Sequence, residues 1–198
     1  VTAPHQRGRS GRRPGSPDTR SQILEAARTE FAERGYEIAS MRGIATRAGV
    51  NAALLHHYFG NKEQLFVAAV ELPFDPDDVA AAMATVSREH RGERLVRTFF
   101  GIWEEPSHRE PMLALLRSAM AHESAAALLR QFGTRVMVPR VTPSVQGPDA
   151  ELRAEAAVSH MIGLALARYV LELEPLASTP LDELVALVGP VVQRYFDG

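Results

Sequence analysis

The stretch from Ser40 to Lys62, SMRGIATRAGVNAALLHHYFGNK, leaves its backbone few choices. Ser40 and Asn51 each precede a short helix-forming run, and a side-chain oxygen at either place can accept from the otherwise orphaned amides of a first helical turn. Gly49 separates the two runs and can take the positive φ of a tight turn. Ile44, Ala48, Val50, Leu55 and Phe59 are spaced to meet in one small core, while Ala45 and Ala48 are small enough for the helices to approach closely. The spacing predicts two crossing helices, over 40–48 and 51–59, joined by a tight turn. In such a pair the second helix can present its N-terminal residues to a major groove.

The surrounding sequence continues the helical pattern. Ser16 and Pro17 supply a cap and a first-turn proline, and Ile23, Ala27 and Phe31 recur every four residues until Gly35, which predicts a helix over 17–34. Asn61 with Gln64 resembles a capping box for a helix that buries Leu65, Phe66, Ala69 and Val70 and stops near Leu72, before Pro73. Asp75-Pro76-Asp77-Asp78 marks another start, with acids at the positive end of a helix dipole. Further helices are predicted over 76–88, 92–104, 108–120, 123–138, 149–174 and 180–196, with Pro139 to Pro148 as the one long loop. No strand-type alternation or internal repeat is present. The expected fold is all-α, with a basic arm over 1–16, a three-helix unit over 17–66 and a helical domain over 67–198.

Charge divides in the same place. Of the 198 residues, 1–62 hold ten Lys/Arg against five Asp/Glu, giving +5, and 63–198 hold twelve against nineteen, giving −7. Such a split points to a front end that meets a polyanion. Arg7, Arg9, Arg12 and Arg13 lie among Gly, Pro and Ser with nothing apolar to bury, as in a flexible arm, although a basic tail can also be idle. Without cysteine, disulfides, thiolate zinc sites and cysteine nucleophiles are excluded, which fits a reducing cytoplasm. No apolar run reaches the roughly 18 residues of a membrane span, and no apolar segment follows the N-terminal arginines, so a cytoplasmic protein is expected.

The run Ile44-Ala45, Ala48-Gly49-Val50, Leu55, Tyr58-Phe59, Lys62-Glu63 and Leu65-Phe66, with Phe31 and Gly35-Tyr36 before it, closely resembles the DNA-binding signature of the tetracycline-repressor (TetR) family. The resemblance covers about residues 18–66. It implies a homodimeric, all-helical regulator that binds an operator on double-stranded DNA, most often as a repressor, with a C-terminal domain that senses a small-molecule inducer and dimerises. Carried over by position, Arg42 becomes a base-edge or phosphate contact, a task its forked guanidinium suits. Ser40 and Lys62 match backbone contacts, and Asn51, Ala52, Ala53 and Leu54 occupy the exposed start of the recognition helix. His56 stands where the family commonly has a phosphate-binding tyrosine. The alanines and Leu54 offer only apolar contacts, so Arg42, Asn51, His56 and His57 are the polar readers, beside Tyr58 of the signature.

His56 and His57 do not read as a metal site, because adjacent helical residues point about 100 degrees apart, and no cofactor is expected. No catalytic constellation or glycine-rich phosphate loop stands out, so an enzyme is not expected. Phe99, Phe100, Trp103, Met112, Leu116, Met120 and Met137 at helical spacing are core or pocket wall; a ligand cavity is expected between Phe99, Phe100 and Trp103, Leu116 and Met120, and Met161 and Arg168, with Arg168 and His160 able to orient a polar end. The helix at 149–174 looks apolar on two faces, one of them Ala156, Ser159, Gly163 and Ala167, and the last helix carries a wide stripe including Leu184, Val188 and Val191. The family resemblance implies that these helices form a four-helix dimer interface; a large monomeric core is the alternative. A regulator that responds to no ligand, or a helical enzyme or carrier, also remains open.

Overall fold

The computed structural model describes residues 17–198, and every regular element among them is helical. The expected basic arm and the Ser16 cap lie outside the described residues. Helices α1 (Pro17–Ile38), α2 (Met41–Arg47), α3 (Ala52–Phe59) and α4 (Lys62–Val70) come first. They are followed by α5 (Pro76–Ala84), α6 (Arg91–Glu104), α7 (Pro106–Ala121), α8 (Glu123–Phe132), α9 (Val138–Val141), α10 (Ala150–Ala165) and α11 (Leu181–Asp197).

Helix α1 breaks where glycine allows it: Gly35 has φ 75° and ψ 161°, and one helical turn then carries the chain to Ile38. The amide and carbonyl freed by the break are met from a distant helix. Gln131 of α8 accepts from the Tyr36 amide at 2.6 Å and donates to the Phe31 carbonyl at 3.2 Å. Around this point lies the first core, built from Ile23, Ala27, Phe31, Ile44, Leu55, Leu65 and Phe66. Phe31 and Tyr36 flank Phe66 edge-on, with centroids 4.8 and 5.2 Å away. Leu128, Phe132 and Val136, from α8 and the turn after it, complete the same core although they lie far along the chain.

A second core joins α5, α6 and α9 to α11 through Val96, Phe100, Val141, Ala154, Met161, Leu184 and Val192. Its tightest point is the crossing of α6 and α11. A Cβ on Gly92 would lie 2.3 Å from the Gly189 carbonyl oxygen and 2.5 Å from the Gln193 amide nitrogen, so the two backbones touch where only glycine fits. Gln193 fastens the crossing by accepting from the Gly92 amide at 2.8 Å. Helix α11 continues through Gly189 and Pro190 as one helix.

Two expected boundaries move. The loop predicted over Pro139 to Pro148 is mostly helical: α8 passes through a π turn (Gly133–Met137) into α9 and then a 3-10 turn (Thr142–Ser144). Pro139 and Pro143 each fall in the first turn of a new element, where a missing N–H leaves no bond unmade. The helix predicted over 149–174 ends its regular part at Ala165 and closes with a second π turn (Leu166–Val170).

Candidate nucleic-acid interface and interior cavity

Helices α2 and α3 form the predicted pair. The Ser40 Oγ accepts from the Gly43 amide at 3.0 Å, and the Asn51 Oδ1 accepts from the Ala53 amide at 2.8 Å. Between them Gly49 takes φ 66°, and the Val50 amide donates back to the Ala45 carbonyl at 3.0 Å. Leu55 and Phe59 turn inward, whereas Ser40, Arg42, Asn51, Ala53, His56 and His57 stay exposed and Ala52, Leu54 and Tyr58 are half-buried. The Arg42 guanidinium meets no partner among the described residues. Among the described residues both caps keep a donor free, the Ser40 hydroxyl and the Asn51 amide, for a phosphate or base edge.

His56 and Lys62 differ in what they leave available. The His56 Nδ1 lies 2.8 Å from the Gly60 carbonyl, which can only accept, so Nδ1 carries the proton and Nε2 is left for another partner. Lys62 is committed. Its ammonium donates to the carbonyls of Tyr36 at 2.8 Å and Ala39 at 3.2 Å, and lies 4.4 Å from the Tyr36 ring centroid. It caps the carbonyl end of α1 and ties α4 to it.

Polar ties that sequence reasoning missed hold this unit in shape. Glu30 is 3% exposed and meets Arg47 of α2 at 3.0 Å and Arg34 at 3.3 Å. Its position, three after Ala27 and seven after Ile23, places it on the buried arc and was the available signal. Arg28 donates to the Ala69 carbonyl at 2.9 Å and pairs with Glu71, binding α1 to the end of α4. Arg140 reaches both Glu63 at 3.1 Å and Asp77 at 2.7 Å, and Arg135 meets Glu37 at 2.8 Å. Arg28 and Ala69 lie 41 residues apart, and Arg140 lies 63 residues from Asp77 and 77 from Glu63, so these gave no local signal.

A cavity of about 80 Å³ lies among α6, α7, α8 and α10. Phe99, Trp103, Leu116 and Met161 of the expected set line it, together with Leu129, Phe132, Gly133 and Met137 from α8 and its π turn, and Leu72 and Phe74 from the α4–α5 connection. Three expected wall residues stand elsewhere. Phe100 turns into the second core, one helical position away from the cavity side of α6. Met120 is 59% exposed on α7. Arg168 is buried away from the wall, donating to the Leu176 carbonyl and to Glu104 at 3.3 Å. His160 packs beside Tyr195 rather than in the wall. Glu104 also accepts from Tyr169 at 2.8 Å and pairs with Arg109 at 3.2 Å. Burial first, and this bond to Glu104 second, push the Tyr169 phenol up to about 12.

The faces expected at a partner subunit separate as well. Leu184 and Val188 are buried in their own subunit, because the α6–α11 crossing turns that side of α11 inward. Leu152, Leu187 and Val191 are 65%, 70% and 47% exposed. Ser159 and Gly163 are also exposed, and Ala156 and Ala167 half-buried. A Cβ on Gly163 would meet nothing within 4 Å. On α10 the positions 152, 156, 159 and 163 follow one helical stripe.

An exposed, capped α3 crossing α2 at a glycine turn, with an unpaired arginine at the start of α2, defines a helix-turn-helix DNA-binding protein. Residues 23–69 match the family model for bacterial regulatory proteins of the tetR family, and residues 89–196 match the tetracyclin repressor-like C-terminal domain. The chain is 30% identical over 186 residues to the HTH-type transcriptional regulator BetI of Rhizobium meliloti, covering 90% of each. It is 37% identical over 89 residues to the HTH-type transcriptional repressor AcnR of Corynebacterium efficiens, 45% of this chain and 43% of that one. A crystal structure of a TetR-family regulator from Streptomyces coelicolor A3 aligns at 38% identity and a TM-score of 0.55 over 94% of this chain and 99% of that one. The chain belongs to the TetR family and is a DNA-binding transcriptional regulator.

Proposed function

We propose that this regulator is a cytoplasmic homodimeric repressor that occupies a palindromic operator and lets go when a small molecule fills the cavity. Residues 17–66 read the DNA, with Arg42, Asn51, His56 and His57 as the polar contacts, and residues 67–198 sense and dimerise through the exposed stripe of α10 with Leu187 and Val191 of α11. One observation carries the release: the cavity wall includes Phe132, which also completes the core of the reading unit, and Leu72, which follows α4. A molecule that spreads this wall displaces α8 and the α4–α5 connection together, and so changes the separation of the two recognition helices. Affinity for DNA then falls by linkage.

The test is a gel shift on DNA from upstream of the protein's own gene, with sedimentation of the same samples. Gly163→Arg leaves the subunit folded, since that position faces open space, but yields monomers that no longer shift the fragment. Arg42→Ala remains dimeric and loses affinity by about 1–3 kcal/mol. A Gly163→Arg protein that stays dimeric, or an Arg42→Ala protein that binds as the parent does, contradicts the assignment.

A further inference from the structure

Among the described residues, every side chain in the cavity wall is hydrocarbon or thioether except the indole of Trp103. That indole turns no polar atom to the space: its Nε1 is buried, and the wall presents almost no polar surface, backbone included. The helices that build the wall spend their N–H and C=O groups within themselves. Such a wall holds no water, because a water needs two to four polar partners. Nor is the space an ordinary packing fault. Voids in folded interiors rarely exceed one water, whereas about 80 Å³ is several times the roughly 10–15 Å³ that one water needs. Side chains around an empty space forfeit dispersion contacts, and an occupant of matching surface restores them.

The wall also limits what that occupant can be. A hydroxyl, amide or ionised group brought inside would leave its water partners and find no donor or acceptor in exchange. The polar cluster beyond Trp103 is spent on itself. Tyr169 stacks on the indole with 4.8 Å between centroids, its hydroxyl donates to Glu104, and Glu104 also holds Arg168 and Arg109. Size sets a second limit: an apolar space of about 150 Å³ admits benzene, so a ring of that size has to push this one open. Met112, Met137 and Met161 are the unbranched side chains of the wall and can yield. Met137 ends the π turn that follows α8, so yielding there moves the part of the wall that Phe132 shares with the reading unit.

We infer that the effector is an uncharged hydrocarbon or halogenated hydrocarbon of about one ring, without any hydrogen-bonding group, and that the cavity refuses molecules of the same size carrying a hydroxyl, amine or acid. The inference rests on the cavity being the sensing site. Toluene, bromobenzene and phenol have equal numbers of heavy atoms and are uncharged at pH 7, so they serve as probes of the full-length protein. By calorimetry toluene and bromobenzene bind within about threefold of each other, and phenol binds at least about tenfold more weakly. Position is read from Trp103, the only tryptophan. Bromine held against the indole quenches its fluorescence by the heavy-atom effect, whereas bound toluene does not, and this readout needs no variant.

Phenol binding as tightly as toluene overturns the inference, since the site would then supply a polar partner. Bromobenzene that binds without quenching Trp103 overturns it by placing the apolar site elsewhere, and failure of all three probes to bind overturns it too. Operator release is scored separately by gel shift: toluene that binds as described but leaves the DNA complex intact contradicts the release reading and not the ligand class.

Discussion

The two halves of this regulator hold their helices by different means. In the reading unit, α2, α3 and α4 are seven to nine residues long, and each opens on a side chain that accepts from its first turn: Ser40, Asn51 and Asn61. Helices so short are marginal on their own, and local chemistry has to supply what length does not. From α6 to α11 no helix has a side-chain cap, and the chain includes two π turns and an apolar cavity. There shape is held chiefly by packing, with a few polar ties such as Gln193 to Gly92 and Glu104 to Arg168 and Tyr169. A unit fixed by directional bonds keeps one geometry, as reading base edges requires, whereas a unit fixed by apolar packing around a void can settle into a second arrangement when the void is filled.

The largest effect is expected where the packed half is not loose. Gly92→Val drives two methyl groups into the backbone of α11 and should lower stability by about 3 kcal/mol, read by urea unfolding. A nearly neutral result would mean that the α6–α11 crossing is not the rigid spine of the sensing half. Lys62→Met comes next. It removes the donor from the carbonyl end of α1 and should destabilise by about 1–2 kcal/mol, with all DNA sequences weakened alike through the loosened reader. If binding falls with stability unchanged, the ammonium serves DNA phosphate and the reader is held without it. Arg140→Met should cost the least, about 1 kcal/mol or under, because both of its acidic partners are exposed. Its larger consequence is loss of a clamp between α4 and α5.

What could be read from the sequence follows the same division. The caps, the glycine turn and the apolar spacing of Ile44, Leu55 and Phe59 are local signals, and α1 to α4 were legible almost residue by residue. In the other half, helix existence was legible from periodicity, but which side of α11 faces its own subunit was not. That choice is made by contact between Gly92 and Gly189, far apart in the chain, which buries Leu184 and Val188 and leaves Leu187 and Val191 outside. The same limit applies to Arg168, whose charge read as a pocket group but is consumed by Glu104. Prolines misled at 139 and 143, because a proline that opens a helix and one that forbids it look alike until the next element is known. Phe132 and Gln131 could not have been assigned to the reading unit by any window of neighbouring residues.

Hydrogen exchange of the free protein, followed by mass spectrometry, tests the contrast most directly. Amides of the reader's core, in peptides spanning 23–31 and 62–70, should exchange together and only through global opening. Amides around the cavity, in peptides spanning 112–121 and 129–137, should exchange at least about tenfold faster through local opening. Equal protection in the two halves, or a reader that opens before the cavity wall, would contradict the account of a fixed reading unit coupled to a yielding sensor.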